Sequence, residues 1–121
     1  LAIEKNPDFS MAYNNRGSIY LANNQMEQAL EDFNKALSIN SNYSLALNNR
    51  GILFYKQEKY QQAIADFDMA IVFADSYGKA YLNRGIAKQM LRDEEGACAD
   101  WYKAKDLGIK IAKKYISNDC E

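Results

Sequence analysis

Tyr13-Asn14-Asn15-Arg16-Gly17 returns as Leu47-Asn48-Asn49-Arg50-Gly51 and again as Tyr81-Leu82-Asn83-Arg84-Gly85, each copy thirty-four residues after the last. The register persists well beyond these five positions. Ala29, Phe33 and Ala36 match Ala63, Phe67 and Ala70, then Ala97, Trp101 and Ala104; upstream, Ala12, Ala46 and Ala80 coincide. Self-similarity at this period marks a stacked-repeat protein, in which each small unit completes its core against its neighbours.

Within a copy the spacing is helical. Tyr13, Arg16, Gly17 and Tyr20 stand at i, i+3, i+4 and i+7, one stripe of an α-helix, and Ala29, Phe33 and Ala36 form a second stripe after the turn Asn23-Asn24-Gln25. Each unit therefore reads as two helices. Asp8, Asn42 and Ser76, one period apart, suit the N-cap position, with Pro7 just ahead of the first. A mid-helix glycine costs about 1 kcal/mol relative to alanine, so Gly17, Gly51 and Gly85 predict a close approach by the facing helix. Phe33, Phe67 and Trp101 then fill the space beside that contact.

These residues resemble the tetratricopeptide repeat family, whose 34-residue unit carries an aromatic, a leucine-like position, Gly, Tyr, Ala, Phe, Ala and Pro at fixed points. The resemblance implies an all-α fold, a right-handed α-α superhelix of three helix-turn-helix repeats at 8–41, 42–75 and 76–109. Residues 1–7 read as the tail of a preceding truncated repeat, with Ala2 in phase with Ala36 and Pro7 at the family's proline position. Residues 110–121 read as a C-terminal capping helix and tail, because from Ile109 the chain is apolar at i, i+3 and i+7 with lysines between. The leucine-like position is Arg16, Arg50 and Arg84, and Ser41, Asp75 and Ile109 replace the closing proline. In the third copy Lys88 stands where Tyr20 and Phe54 are apolar, and Gly96-Ala97-Cys98 loosens the start of the second helix. That copy reads as a terminal one. Each arginine precedes an aspartate by sixteen residues, which predicts the structural ion pairs Arg16 with Asp32, Arg50 with Asp66 and Arg84 with Asp100.

Composition narrows the function. Across 121 residues, fifteen basic and sixteen acidic groups leave a net charge of −1, which provides no electrostatic draw to nucleic acid or an anionic membrane. Histidine is absent, so Ser-His-Asp and Cys-His catalysis and imidazole metal sites are excluded. No catalytic residue, metal or cofactor is expected. Cys98 and Cys120 suggest neither a disulfide framework nor a zinc site: Cys98 is expected to pack as a small hydrophobe and Cys120 to lie exposed, open to accidental intermolecular oxidation. Asp93-Glu94-Glu95 reads as a solvated turn, and Lys110, Lys113 and Lys114 as solubilising charges on the tail helix. No signal peptide is visible, and the start at Leu1 looks cut from something longer. The compartment stays open, with a slight lean to the cytoplasm.

The resemblance places function on the concave face lined by the first helix of each unit. Transferred in phase, that face holds Met11, Asn14, Asn15, Ser18, Leu21 and Ala22 in the first copy; Leu45, Asn48, Asn49, Ile52, Tyr55 and Lys56 in the second; and Lys79, Leu82, Asn83, Ile86, Gln89 and Met90 in the third. Asn15, Asn49 and Asn83, with Asn14 and Asn48 beside them, are similar to the asparagine ladder in the repeat domain of protein O-GlcNAc transferases. A carboxamide both donates and accepts, so a row of them can pair with an extended peptide backbone whatever its side chains. The two-carboxylate clamp of chaperone-binding members is matched only at Asn49 and Lys79; Asn14, Ser18 and Asn83 stand where Lys, Asn and Arg are required. The expected function is a non-catalytic scaffold for a protein or peptide partner, with Asn14, Asn15, Asn48, Asn49, Ile52, Tyr55, Lys79 and Asn83 as binding residues. The alternative is a self-associating module, a homodimer formed through Met11, Ile19 and Met26 at the N-terminal repeat edge.

Overall fold

The structure, a computed structural model, describes residues 7–120, so the earlier-repeat tail expected at the N-terminus lies, apart from Pro7, outside the described residues. Over the described residues seven helices follow one another: α1 (Pro7–Ala22), α2 (Met26–Ile39), α3 (Ser44–Lys56), α4 (Tyr60–Phe73), α5 (Gly78–Met90), α6 (Glu94–Asp106) and α7 (Ala112–Asp119). Among the described residues there is no strand. Among those residues no helix is long and apolar enough to cross a membrane.

Helices pair as α1 with α2, α3 with α4 and α5 with α6, and each pair packs on the next. Small residues make the pairing tight. A Cβ added at Gly17 would lie 2.8 Å from Phe33 Cε1, one at Gly51 2.5 Å from Phe67 Cε1, and one at Gly85 2.6 Å from Trp101 Nε1. The three aromatic rings thus lie directly on the glycines, and Ala29, Ala36, Ala63, Ala70, Ala97 and Ala104 close the contact with at most 1% exposure. Turns inside each pair are alike. Asn24, Glu58 and Arg92 take φ of 64°, 62° and 64°. The next amide reaches back, Gln25 N–H to the Tyr20 carbonyl at 2.8 Å, Lys59 N–H to Phe54 at 2.8 Å and Asp93 N–H to Lys88 at 3.0 Å. This is a left-handed C-terminal closure that satisfies otherwise free helix-end carbonyls.

Two helix starts fall later than their sequence signals. Asn42 and Ser76 do not cap: Tyr43 and Tyr77 hold the N-cap positions of α3 and α5. The reason is a turn upstream, where the Asn42 N–H donates to Asn40 Oδ1 at 3.2 Å and the Tyr43 N–H to the Asn40 carbonyl at 3.2 Å; Tyr77 N–H likewise donates to Ala74. Asp8 lies within the first turn of α1, whose first residue is Pro7. At the third copy, Gly96 does not loosen α6. Asp93 caps that helix by accepting from the Gly96 N–H at 3.0 Å, and the missing side chain leaves room for the Asp93 carboxylate. Glu94 and Glu95 are therefore the first turn of α6, where carboxylates favour the positive end of the helix dipole, rather than a free turn.

The C-terminal segment folds back over α6, although its helix begins at Ala112 rather than Ile109. Gly108 at φ 93° turns the chain, and Ile109 settles against Gly78, where a Cβ would sit 2.7 Å from Ile109 Cγ1. Ala112 and Ile116 are buried, and Tyr115 stacks on Trp101 with ring centroids 5.1 Å apart. Cys98 and Cys120 form a disulfide with Cα atoms 5.8 Å apart, contrary to their expected fates as a core hydrophobe and an exposed thiol. Twenty-two residues separate them, and the fold-back of α7 closes that gap.

Candidate functional site

The first helices of the units meet one another, α1 with α3 and α3 with α5, while α2, α4 and α6 do not approach each other to the same extent. Closer spacing on one side makes α1, α3 and α5 the inner layer. Two adjoining hollows open on it. One, of about 340 Å³, is lined by Leu45, Asn48, Asn49, Ile52, Tyr77, Lys79, Leu82 and Asn83, with Ile109 and Ile111 at its C-terminal wall. The other, of about 230 Å³, is lined by Ile52, Tyr55, Lys56, Phe67, Asn83 and Ile86. Ile52 and Asn83 belong to both.

Six of the eight binding residues expected from sequence, Asn48, Asn49, Ile52, Tyr55, Lys79 and Asn83, line these hollows. Asn14 and Asn15 line neither. Asn15 is exposed on α1. Asn14 and Asn48 are 1% and 3% exposed and do not form a free row. Each instead accepts from the next repeat: Asn49 Nδ2 donates to Asn14 Oδ1 at 3.0 Å, and Asn83 Nδ2 to Asn48 Oδ1 at 3.2 Å. Their first task is to stitch neighbouring repeats together. A carboxamide has two N–H donors and an oxygen with two lone pairs, so Asn49 and Asn83 each retain a donor and an acceptor after this bond. Leu21, assigned to the same face, is buried in the cluster with Ala29, Phe33 and Leu53.

The tyrosines of the hollows are also constrained. Burial pushes the Tyr77 pKa up, opposed by its hydrogen bond with Asn48. Burial also pushes Tyr55 up, with smaller contributions from Tyr60 and Tyr115. Neither phenol is a base at neutral pH.

Behind the groove run three arginine–aspartate forks. Arg16 donates through Nε and Nη2 to Asp32 at 2.7 and 2.8 Å, Arg50 to Asp66 at 2.8 and 2.8 Å, and Arg84 to Asp100 at 2.9 and 2.7 Å. Two of them also reach back one repeat, Arg50 Nη1 to Asn34 Oδ1 at 2.9 Å and Arg84 Nη1 to Asp68 Oδ1 at 2.9 Å. Lys88 joins the third fork at 3.2 Å from Asp100, which explains a lysine at a position apolar in the other copies. The hydrogen bonds to Asp32 and Asp100 push the Arg16 and Arg84 pKa values further up, so both stay charged. Sequence spacing named the forks but not the backward bonds, whose acceptors Asn34 and Asp68 again lie sixteen residues from their arginines.

The forks leave an uneven charge distribution. α3 and α5 contain no carboxylate, and the aspartates that answer their arginines sit on α4 and α6. Lys56 and Lys79, on the groove wall, have no salt-bridge partner among the described residues. The groove therefore pairs an apolar floor with two uncompensated cations.

Comparison with known proteins agrees with this architecture. The sequence matches the family model for the tetratricopeptide repeat over residues 10–43 and 44–77. No curated protein matches the chain. Among solved structures, the second such domain of human RPAP3 in complex with an HSP70 peptide, SGPTIEEVD, is 26% identical, covers 96% of this chain and 99% of its own, and superposes with a TM-score of 0.87. The Arabidopsis OM64 domain is 26% identical over 93% of this chain and 97% of its own, with a TM-score of 0.85. The second domain of Spaghetti (RPAP3), bound to the HSP90 peptide SRMEEVD, is 25% identical over 88% and 99%, with a TM-score of 0.82.

Proposed function

This chain belongs to the tetratricopeptide repeat family of protein-interaction modules, and we propose that its inner groove binds an extended, acidic segment of a partner protein without catalysing a reaction on it. The single observation that carries the reading is the groove itself, two connected apolar hollows between α3 and α5 with Lys79 at one end and Lys56 at the other. An extended peptide crossing Ile52 presents apolar side chains to the hollows, and its carboxylates meet the lysines. Asn49 and Asn83 offer their remaining donors and acceptors to its backbone. Acidic peptides on two of the structural neighbours support the sign of the charge. The grip differs from the two-carboxylate clamp, which would need a cation at Asn14 and at Asn83; Asn14 is buried and committed to Asn49.

A peptide array of acidic, neutral and basic nonapeptides tests this, probed with the wild type and with Lys56→Glu/Lys79→Glu. Both lysines are exposed and outside the fork network, so the variant keeps its fold. Acidic peptides should bind the wild type and lose at least tenfold in the variant, with basic peptides gaining. Equal binding by both proteins would place the interaction elsewhere.

One observation favours the second reading, self-association: Met11 and Ile19 on α1 stand 52% and 61% exposed. A sedimentation profile that stays monomeric as concentration rises would remove it.

A further inference from the structure

α7 is a weak helix held in an important place. It has eight residues, fewer than an isolated helix needs to be stable in water. Its charges oppose the helix dipole: Lys113 and Lys114 lie in the first turn and Asp119 at the last residue, where carboxylates and cations respectively would be favoured. No side chain caps its N-terminus. Among its residues only Ala112 and Ile116 are buried and Tyr115 is half-buried; Ile116 and Tyr115 pack in the cluster with Ala97 and Trp101. The disulfide from Cys98 in α6 to Cys120 just past α7 closes this segment covalently, and both cysteines are partly accessible.

We propose that the Cys98–Cys120 disulfide is a redox latch: oxidised, it keeps α7 docked over Trp101, and reduction lets α7 leave while the three repeats stay folded. The step is thiol–disulfide exchange with a dithiol reductant. A thiolate of the dithiol bonds to one cysteine sulfur, the S–S bond breaks, and the other cysteine leaves with the electron pair and takes a proton from solvent. The second thiol of the reductant then closes its own disulfide and frees the remaining cysteine. Two electrons pass from the dithiol to the cystine. The repeats do not depend on the latch, because the glycine–aromatic contacts and forks that hold them lie within and between α1 to α6.

Undocking changes the surface next to the groove. Leu82 and Ile86 pack against the cluster that α7 completes, and each lines one of the hollows. Release of α7 uncovers their far side together with Trp101, so the latch sets the C-terminal limit of the apolar surface.

The test uses the whole chain and no peptide, so it stands apart from the binding reading. Trp101 is the only tryptophan and reports α7 directly. On adding dithiothreitol, emission should shift to longer wavelength, acrylamide quenching should rise, and amides of residues 112–119 should exchange at least tenfold faster, with α1 to α4 unchanged. Cys98→Ser/Cys120→Ser should show the reduced behaviour without reductant. Unchanged α7 protection on reduction, loss of protection throughout α1 to α4, or two free thiols in protein purified without reductant would each overturn the proposal.

Discussion

Replacing Asp32, Asp66 and Asp100 one at a time by asparagine strands a different arginine in each case, and the costs should form a graded series. Asparagine keeps the shape and one acceptor of the fork but removes the charge that answers the guanidinium. The cost then depends on how well water can replace it. The arginine side chains are 54%, 24% and 18% exposed for Arg16, Arg50 and Arg84. Arg16 can turn to solvent, so Asp32→Asn should behave like the loss of an exposed pair and be the mildest of the three. Arg50 is mostly covered, and Asp66→Asn should cost about 2–3 kcal/mol. Asp100 answers Lys88 as well as Arg84, so Asp100→Asn leaves two covered cations and should cost about 3–5 kcal/mol, with Asp68 retaining a partial hold. The complementary series reverses the logic. The aspartate side chains are 2%, 9% and 5% exposed, so Arg16→Gln, Arg50→Gln and Arg84→Gln each strand a buried carboxylate and should destabilise without the same gradient, by about 3–5 kcal/mol at Arg50 and Arg84. Urea unfolding followed by circular dichroism measures both series, and the slope of the transition shows whether an end repeat melts separately. Three equal asparagine costs, or Asp32→Asn as the most damaging, would refute the view that residual solvation of the arginine sets the penalty.

Two further outcomes follow from the packing. Gly51→Ala gains about 1 kcal/mol of helix propensity but drives a Cβ to 2.5 Å from Phe67 Cε1, so it should destabilise by about 1–2 kcal/mol net in the same urea assay; a raised midpoint would mean that the ring does not rest there. Burial raises Tyr55 and Tyr77 above the ordinary tyrosine value of 10.0, so their contribution is complete below that pH and is lost as pH rises through the raised values. Stability should therefore fall above about pH 10, and Tyr55→Phe/Tyr77→Phe should flatten the decline.

The helix pairs, the glycine contacts and the forks could all be read in the chain because each depends on spacing within one 34-residue unit. A helix converts spacing into direction, so Gly51 and Phe67, or Arg50 and Asp66, announce their meeting without knowledge of the stack. What escaped depends on how units are set against each other. Asn14 and Asn49 are thirty-five residues apart and belong to different repeats; their bond needs the rotation between units, which residue spacing does not carry. The same limit hid the difference between Asn48, buried beneath the groove, and Asn49 on its wall. The bond between Cys98 and Cys120 is invisible in the spacing for a related reason, since only the fold-back at Gly108 brings them together. At Asn40 a local turn, formed by its own side chain, outweighed the cap signal of Asn42.

The asparagine bonds that join one repeat to the next have a metrical consequence. Asn49 to Asn14 and Asn83 to Asn48 span the same thirty-five residues, so each added unit would be laid down with the same step and turn as the one before. The stack then works as a ruler with a fixed graduation. Inserting one more unit carrying both asparagines would lengthen the groove by a whole division without changing its pitch, and a ligand's reach would be counted in helix pairs rather than tuned continuously.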